Sequence, residues 1–120
     1  MKVARICDWD LEDRLAVPHH PIVVMFMRTG EKGLESPREE LQILAGFYPD
    51  SRFFEIDLIE NPSLVQKLGL QTRLTPLALP MTLVFVGGVE RARHVGSLMV
   101  GVVEQILGPP PDRDAEGREE

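Results

Sequence analysis

The stretch Ile22-Val23-Val24-Met25-Phe26-Met27 contains no polar residue. A strand with one face in water alternates apolar and polar side chains, because successive residues point to opposite faces. An unbroken apolar run, opened by Pro21 and closed by Arg28, is the pattern of a strand buried on both faces. Strands of that kind belong to sheets with parallel pairing and helices packed on either side.

The flanking segments supply those helices. Lys2–Cys7 alternates weakly and reads as a short first strand. Asp8 can cap a helix to about Ala16, with Asp10, Glu12 and Asp13 suited to its positive N-terminal end. Pro18-His19-His20-Pro21 breaks it. After the apolar run, residues 28–37 carry Gly30 and Gly33 and read as a loop. Ser36-Pro37 reads as a helix start, a cap followed by proline in the first turn, with Leu41, Leu44, Ala45 and Tyr48 on the helical period. Arg52–Leu58 is a strand. Asn61-Pro62 opens a helix that Gly69 ends, and Gln71–Ala78 is a loop. Met81–Val86 and Glu90–Val95 are strands joined by a tight turn at Gly87-Gly88. Ser97–Leu107 is an amphipathic helix that offers Leu98, Val102, Val103, Ile106 and Leu107 to the core. The order is β-α-β-α-β-α-β-β-α, an α/β chain with an antiparallel hairpin at its end.

From Gly108 onward the chain is proline-rich and then charged, with almost nothing apolar to bury. The expected organisation is one domain over residues 1–107 and a disordered, acidic, proline-rich tail over 108–120. A chain of 120 residues suffices for one core. No apolar run approaches the roughly 20 residues that cross a bilayer. No secretory leader follows Met1-Lys2-Val3-Ala4-Arg5, so a cytoplasmic location is expected. The net charge of −6 disfavours nucleic acid and anionic membranes and suits a basic partner. Cys7 is the one cysteine, next to Asp8, which does not favour a thiolate.

Two segments give the chain a family likeness. Phe54-Glu55-Ile56-Asp57, then Asn61-Pro62 and Leu68-Gly69-Leu70, resembles one thioredoxin signature; Leu79-Pro80-Met81-Thr82-Leu83-Val84-Phe85-Val86-Gly87-Gly88 resembles a second. From Pro80 to Leu107 the family spacing runs without a gap, including Val95-Gly96. Over residues 1–107 the chain therefore resembles the thioredoxin-like superfamily, with a central mixed sheet flanked by helices. The resemblance implies a cis bond before Pro80 and an extended peptide bound along the neighbouring backbone. X-Pro is the one linkage at which cis is accessible.

The departures matter as much. The redox CxxC of thioredoxins falls at Glu31-Lys32-Gly33-Leu34, where neither sulfur is present. The family's buried acid falls at about Met25. A thiolate is the nucleophile of disulfide exchange, so the expectation is a protein that is not an enzyme and uses no cofactor. The connection from Leu70 to Leu79 is longer than in the family, and Thr72–Ala78 would border the groove. The segment from Pro80 to Gly88, together with Phe47-Tyr48-Pro49-Asp50, is similar to cysteine-free thioredoxin-like chaperones of hydrogenase maturation. That resemblance implies a client carrying the twin-arginine signal segment of a hydrogenase small subunit.

The expected site is a peptide-binding groove made by Leu79, Pro80, Met81, Glu31, Leu34 and Glu35, whose acid suits a basic client. The partner would be a protein or peptide, in the narrowest version a hydrogenase small-subunit precursor. Two alternatives stay open: a structural or scaffold subunit of the same fold, or a redox-related enzyme using a site other than CxxC, for which Ser36 is the one hydroxyl near the helix start. The acidic set Glu31, Glu35, Glu39 and Glu40 suits a helix N-terminus and would also form a lip on the groove. His19-His20 is not read as a metal site, His94 reads as a rim residue, and Trp9 reads as packing. The oligomeric state and the client's identity are left open.

Overall fold

A computed structural model of the chain describes residues 3–110. The elements are β1 (Val3–Arg5), α1 (Asp8–Ala16), β2 (Ile22–Met27), α2 (Glu35–Phe47), β3 (Arg52–Asp57), α3 (Ser63–Lys67), β4 (Met81–Val86), β5 (Val89–Val95) and α4 (Val100–Leu107). They build one five-stranded sheet in the order β1-β3-β2-β4-β5. β1, β3 and β2 are parallel, and β4 and β5 add antiparallel. The apolar run thus becomes the central strand, and all of its residues are buried.

Its two faces meet different helices. Ile22, Val24 and Phe26 pack with Leu11 of α1, Leu64 of α3 and Phe54, Ile56 and Leu83 of the flanking strands. Val23, Met25 and Met27 pack with Leu41 and Leu44 of α2, Met99, and Val103 of α4. Neither face could be polar without leaving a charge or amide in one of these two cores.

The element order expected from the sequence is the observed one, but several boundaries move. β1 is shorter, although the Ile6 amide still reaches the Glu55 carbonyl at 3.1 Å; Lys2 lies outside the described residues. Ser36 does not cap α2. The helix begins two residues earlier, Leu34 is the cap position, and the Arg38 amide closes the first turn on the Leu34 carbonyl at 3.0 Å. Pro37 then sits inside the first turn, where a missing N–H costs nothing because no intrahelical acceptor exists for it. α3 is shorter than expected and stops before Gly69, which takes φ 61°.

The largest change is at α4, which starts at Val100 and not at Ser97. Leu98 adopts φ 67° and is 77% exposed, so it neither continues a helix nor joins the core. At the other end of β5, Gly88 takes φ 80°, and a Cβ there would stand 2.5 Å from the Leu15 carbonyl oxygen. The hairpin therefore seats directly on α1, which only glycine permits. Of the expected tail, residues 108–110 are described. The Tyr48 hydroxyl donates to the Gly108 carbonyl at 2.7 Å, and Pro110 is buried, so the packed chain runs past Leu107. The remainder of that tail lies outside the described residues. No helix among the described residues is long and apolar enough to cross a membrane.

Candidate functional site

Three segments converge at one end of the sheet. Phe26 is registered with Met81, so β2 ends where Pro80 precedes β4, and the loop after β2 leaves the sheet beside Leu79. The Gly96 amide donates to the Pro80 carbonyl at 2.9 Å, which ties the turn after β5 to the same place. The Ser97 hydroxyl lies 3.4 Å from that of Ser36, which brings the N-terminus of α2 against that turn. Residues 28–36, 79–80 and 96–98 thus share one rim, at the carboxyl ends of β2 and β3, where open α/β sheets place their ligands.

The Leu79–Pro80 peptide bond is cis. Pro80 is buried and Leu79 half-buried against the α1–α3 core. Neither the amide nor the carbonyl of Leu79 has a hydrogen-bond partner among the described residues. Both are therefore open to an added strand. Met81, in contrast, is paired on both sides, with Phe26 and with Val95, and its side chain is in the core. Leu34 is also a correction: at 7% exposure it packs under α2 with Val23, Met25 and Met27 and belongs to the core. It is apolar, at the cap position of an amphipathic helix, and the core takes it.

The acidic residues divide by role. Glu35 is exposed at the start of α2. Glu31 is half-buried and meets Arg28 at 3.3 Å, so part of its charge is answered within the loop. Glu40 has a different use. Its two oxygens accept from the amides of Leu98, at 2.7 Å, and Val100, at 3.0 Å, capping α4 from the neighbouring helix. That carboxylate satisfies donors that α4 itself cannot.

Two buried carboxylates on β3 went unnoticed in the sequence as structural elements of this rim. Asp57 accepts from the Thr29 hydroxyl and, at 2.9 Å, from the Ile59 amide, so it fastens the start of the loop after β2 to the end of β3. Burial acts to raise its pKa, but the hydrogen bonds from Thr29 and Ile59 outweigh burial and hold the carboxyl below its ordinary value. The sign follows by linkage. A group whose folded pKa is depressed stabilises in full above its unfolded value, roughly 3.9, and the contribution is lost as pH falls through the folded pKa. Asp57→Asn is therefore expected to flatten the acid limb of stability against pH, read as the urea midpoint between about pH 6 and pH 2.

Glu55 is the second. It is registered beside Met25, where the sequence resemblance puts the family's buried acid. Here a buried carboxylate exists one strand over, bonded to Arg5 of β1 at 2.7 Å and to Arg38 of α2 at 2.9 Å. With both oxygens engaged by guanidinium groups, it joins the edge strand to the helix. The signal available in the sequence was Glu55 and Asp57 alternating with the apolar Phe54 and Ile56.

Other candidates lie apart or are otherwise engaged. The His94 ring meets the Ser97 carbonyl through Nε2, not a hydroxyl. His20 meets the Asp50 carbonyl through Nδ1 and Arg52 through Nε2. Trp9 is 64% exposed and does not pack into the core. In the Thr72–Ala78 stretch, the Thr72 hydroxyl accepts from the Leu74 and Thr75 amides, forming a turn that holds Leu74 out at 95% exposure.

No protein-family model matches the chain, and no curated protein matches it in sequence. Solved structures do match. Reduced thioredoxin preprotein from Schistosoma mansoni superposes with a TM-score of 0.73 at 20% identity, covering 89% of this chain and 97% of that one. Oxidised thioredoxin O2 from Arabidopsis thaliana gives 0.73 at 22% identity, over 88% and 94%. Thioredoxin NaTrxh from Nicotiana alata gives 0.73 at 24% identity, over 91% and 93%. The sheet order, the helices on its two faces and these superpositions agree: the chain has the thioredoxin fold.

Proposed function

We propose that this chain is a client-binding protein without thiol–disulfide chemistry, which receives an extended segment along Leu79–Pro80. The single observation that carries the reading is the open main chain of Leu79 at the rim where three segments meet. The sequence adds that Cys7 is the one cysteine, so no dithiol can form within the chain. Glu31 and Glu35 give the rim its acid, with Arg28 answering part of it. A cationic client suits that balance and the net charge of −6.

In its narrowest form, the role is that of a maturation chaperone in the cytoplasm whose client is a hydrogenase small-subunit precursor with a twin-arginine signal segment. The similarity of Pro80–Gly88 and of Phe47-Tyr48-Pro49-Asp50 to that chaperone family supports it. The test is a native pull-down with mass spectrometry, comparing wild type with the doubly charge-reversed Glu31→Lys/Glu35→Lys. A client captured by wild type and lost in the variant is expected. A client held equally by both would move the interface away from this rim.

A further inference from the structure

The rim around Leu79 has two unlike sides. On the α2 side, Glu31, Lys32, Glu35 and Ser36 are polar, of both signs, and exposed or half-buried. On the α1–α3 side the exposed side chains include large apolar ones. Ile59, in the link from β3 to α3, is 59% exposed, and Leu74, in the link from α3 to β4, is 95% exposed. The two links meet the sheet at the end of β3 and the start of β4, beside Met27 and Phe26 of β2.

A lone exposed leucine is ordinary. Leu74 differs because its loop is held. Arg93 donates to the carbonyls of Leu68 at 2.9 Å and Gly69 at 3.0 Å, which pins the root of the loop to β5. Leu70 and Leu77, on either side of the tip, pack in the α1–α3 core. The Thr72 amide donates to the Thr75 carbonyl at 2.9 Å, and the Thr72 hydroxyl accepts from the Leu74 and Thr75 amides. A partner can therefore meet Leu74 without first ordering the loop. Leu74 is five positions before Leu79, which bounds their separation at about 18 Å.

The pairing geometry turns the two sides into a client pattern. Leu79 has its amide and its carbonyl both open, so one residue opposite can exchange both bonds with it. The side chains of such a pair lie on the same face of a sheet. The Leu79 side chain packs against the α1–α3 core. A client residue opposite Leu79 therefore points to the side of Ile59 and Leu74, and its two neighbours point to the side of Glu35 and Ser36. We propose that the client is an extended segment of alternating apolar and polar residues, with an apolar one opposite Leu79. The proposal rests on the main-chain reading of Leu79 and adds the side-chain order that the rim selects.

The probes are two fluorescein-labelled peptides of the same leucines and arginines, one with the two alternating and one with them in separate blocks. Composition and charge are equal, so only the order differs. Wild type is expected to bind the alternating peptide at least about tenfold more tightly by anisotropy, and the bound peptide to slow exchange of the Leu79 amide by NMR. Leu74→Ser is expected to weaken the alternating peptide about fivefold and to leave the block peptide unchanged. Its Tm should match wild type, because the side chain is exposed. Thr72→Val should weaken binding in the same way and Thr72→Ser should not, since serine keeps the hydroxyl. Two results overturn the pattern while the Leu79 reading stands: equal affinity for the two peptides with Leu79 protected, or unchanged affinity in Leu74→Ser with Leu79 protected. Exchange at Leu79 that neither peptide slows overturns the reading of the edge, and the pattern with it.

Discussion

Phe26→Ala is expected to lower the unfolding free energy by about 3–5 kcal/mol, and Met25→Ala by about 2–5 kcal/mol. The two residues are neighbours on β2 and point to opposite faces. Phe26 is enclosed by the core under α1 and α3, Met25 by the core under α2 and α4. Both are fully buried, so each truncation loses transfer free energy and leaves a cavity that close-packed neighbours only partly fill. In a sheet with one wet face, one of the pair would cost little. Against a typical total of roughly 5–15 kcal/mol, either loss is a large fraction of the stability. Urea midpoints at constant m-value measure it, and a small effect at either position would contradict the two-core arrangement.

The second large effect concerns Glu55 and its two arginines. Glu55 is buried, whereas the Arg5 and Arg38 side chains are 43% and 45% exposed. That difference makes the deletions unequal. Removing Glu55 as Glu55→Met leaves guanidinium groups that can turn to water, and an apolar side chain of similar size fills the site; replacements of this sort are often neutral. Removing one arginine leaves the other bonded to the carboxylate. Arg5→Met together with Arg38→Met strands a buried charge, for which about 3–5 kcal/mol is expected. The double variant should therefore exceed the sum of the single ones, a non-additivity of about 0.5–3 kcal/mol. Additive single effects would show that the carboxylate is solvated.

What the sequence revealed and what it hid follow from range. β2, β4, the Gly87-Gly88 turn and the alternation of early strands with helices rest on local patterns, and the structure has them all. The start of α4 does not rest on a local pattern. It is set by Glu40, a residue of another helix, whose carboxylate caps Val100 and fixes Leu98 outward. Local periodicity placed Leu98 in the core because leucine at that spacing usually goes there. The same limit applies to the rim. Pro80 and its neighbourhood were marked by sequence, but Leu34 was assigned to the groove because it falls at the CxxC position of the family it resembles, and the core under α2 takes it. Asp57 was part of the signature segment, yet its bonds to Thr29 and Ile59 depend on β2 and β3 lying in register.

The proposal that the rim binds an extended segment through the main chain of Leu79 is tested most directly at that amide. The measurement is hydrogen exchange at Leu79, by NMR, with and without a synthetic twin-arginine signal peptide. Pairing would slow Leu79 exchange at least about tenfold, while amides of β2, already bonded within the sheet, change little. Exchange at Leu79 that stays the same while the peptide is bound would contradict the proposal and place the client elsewhere on the molecule.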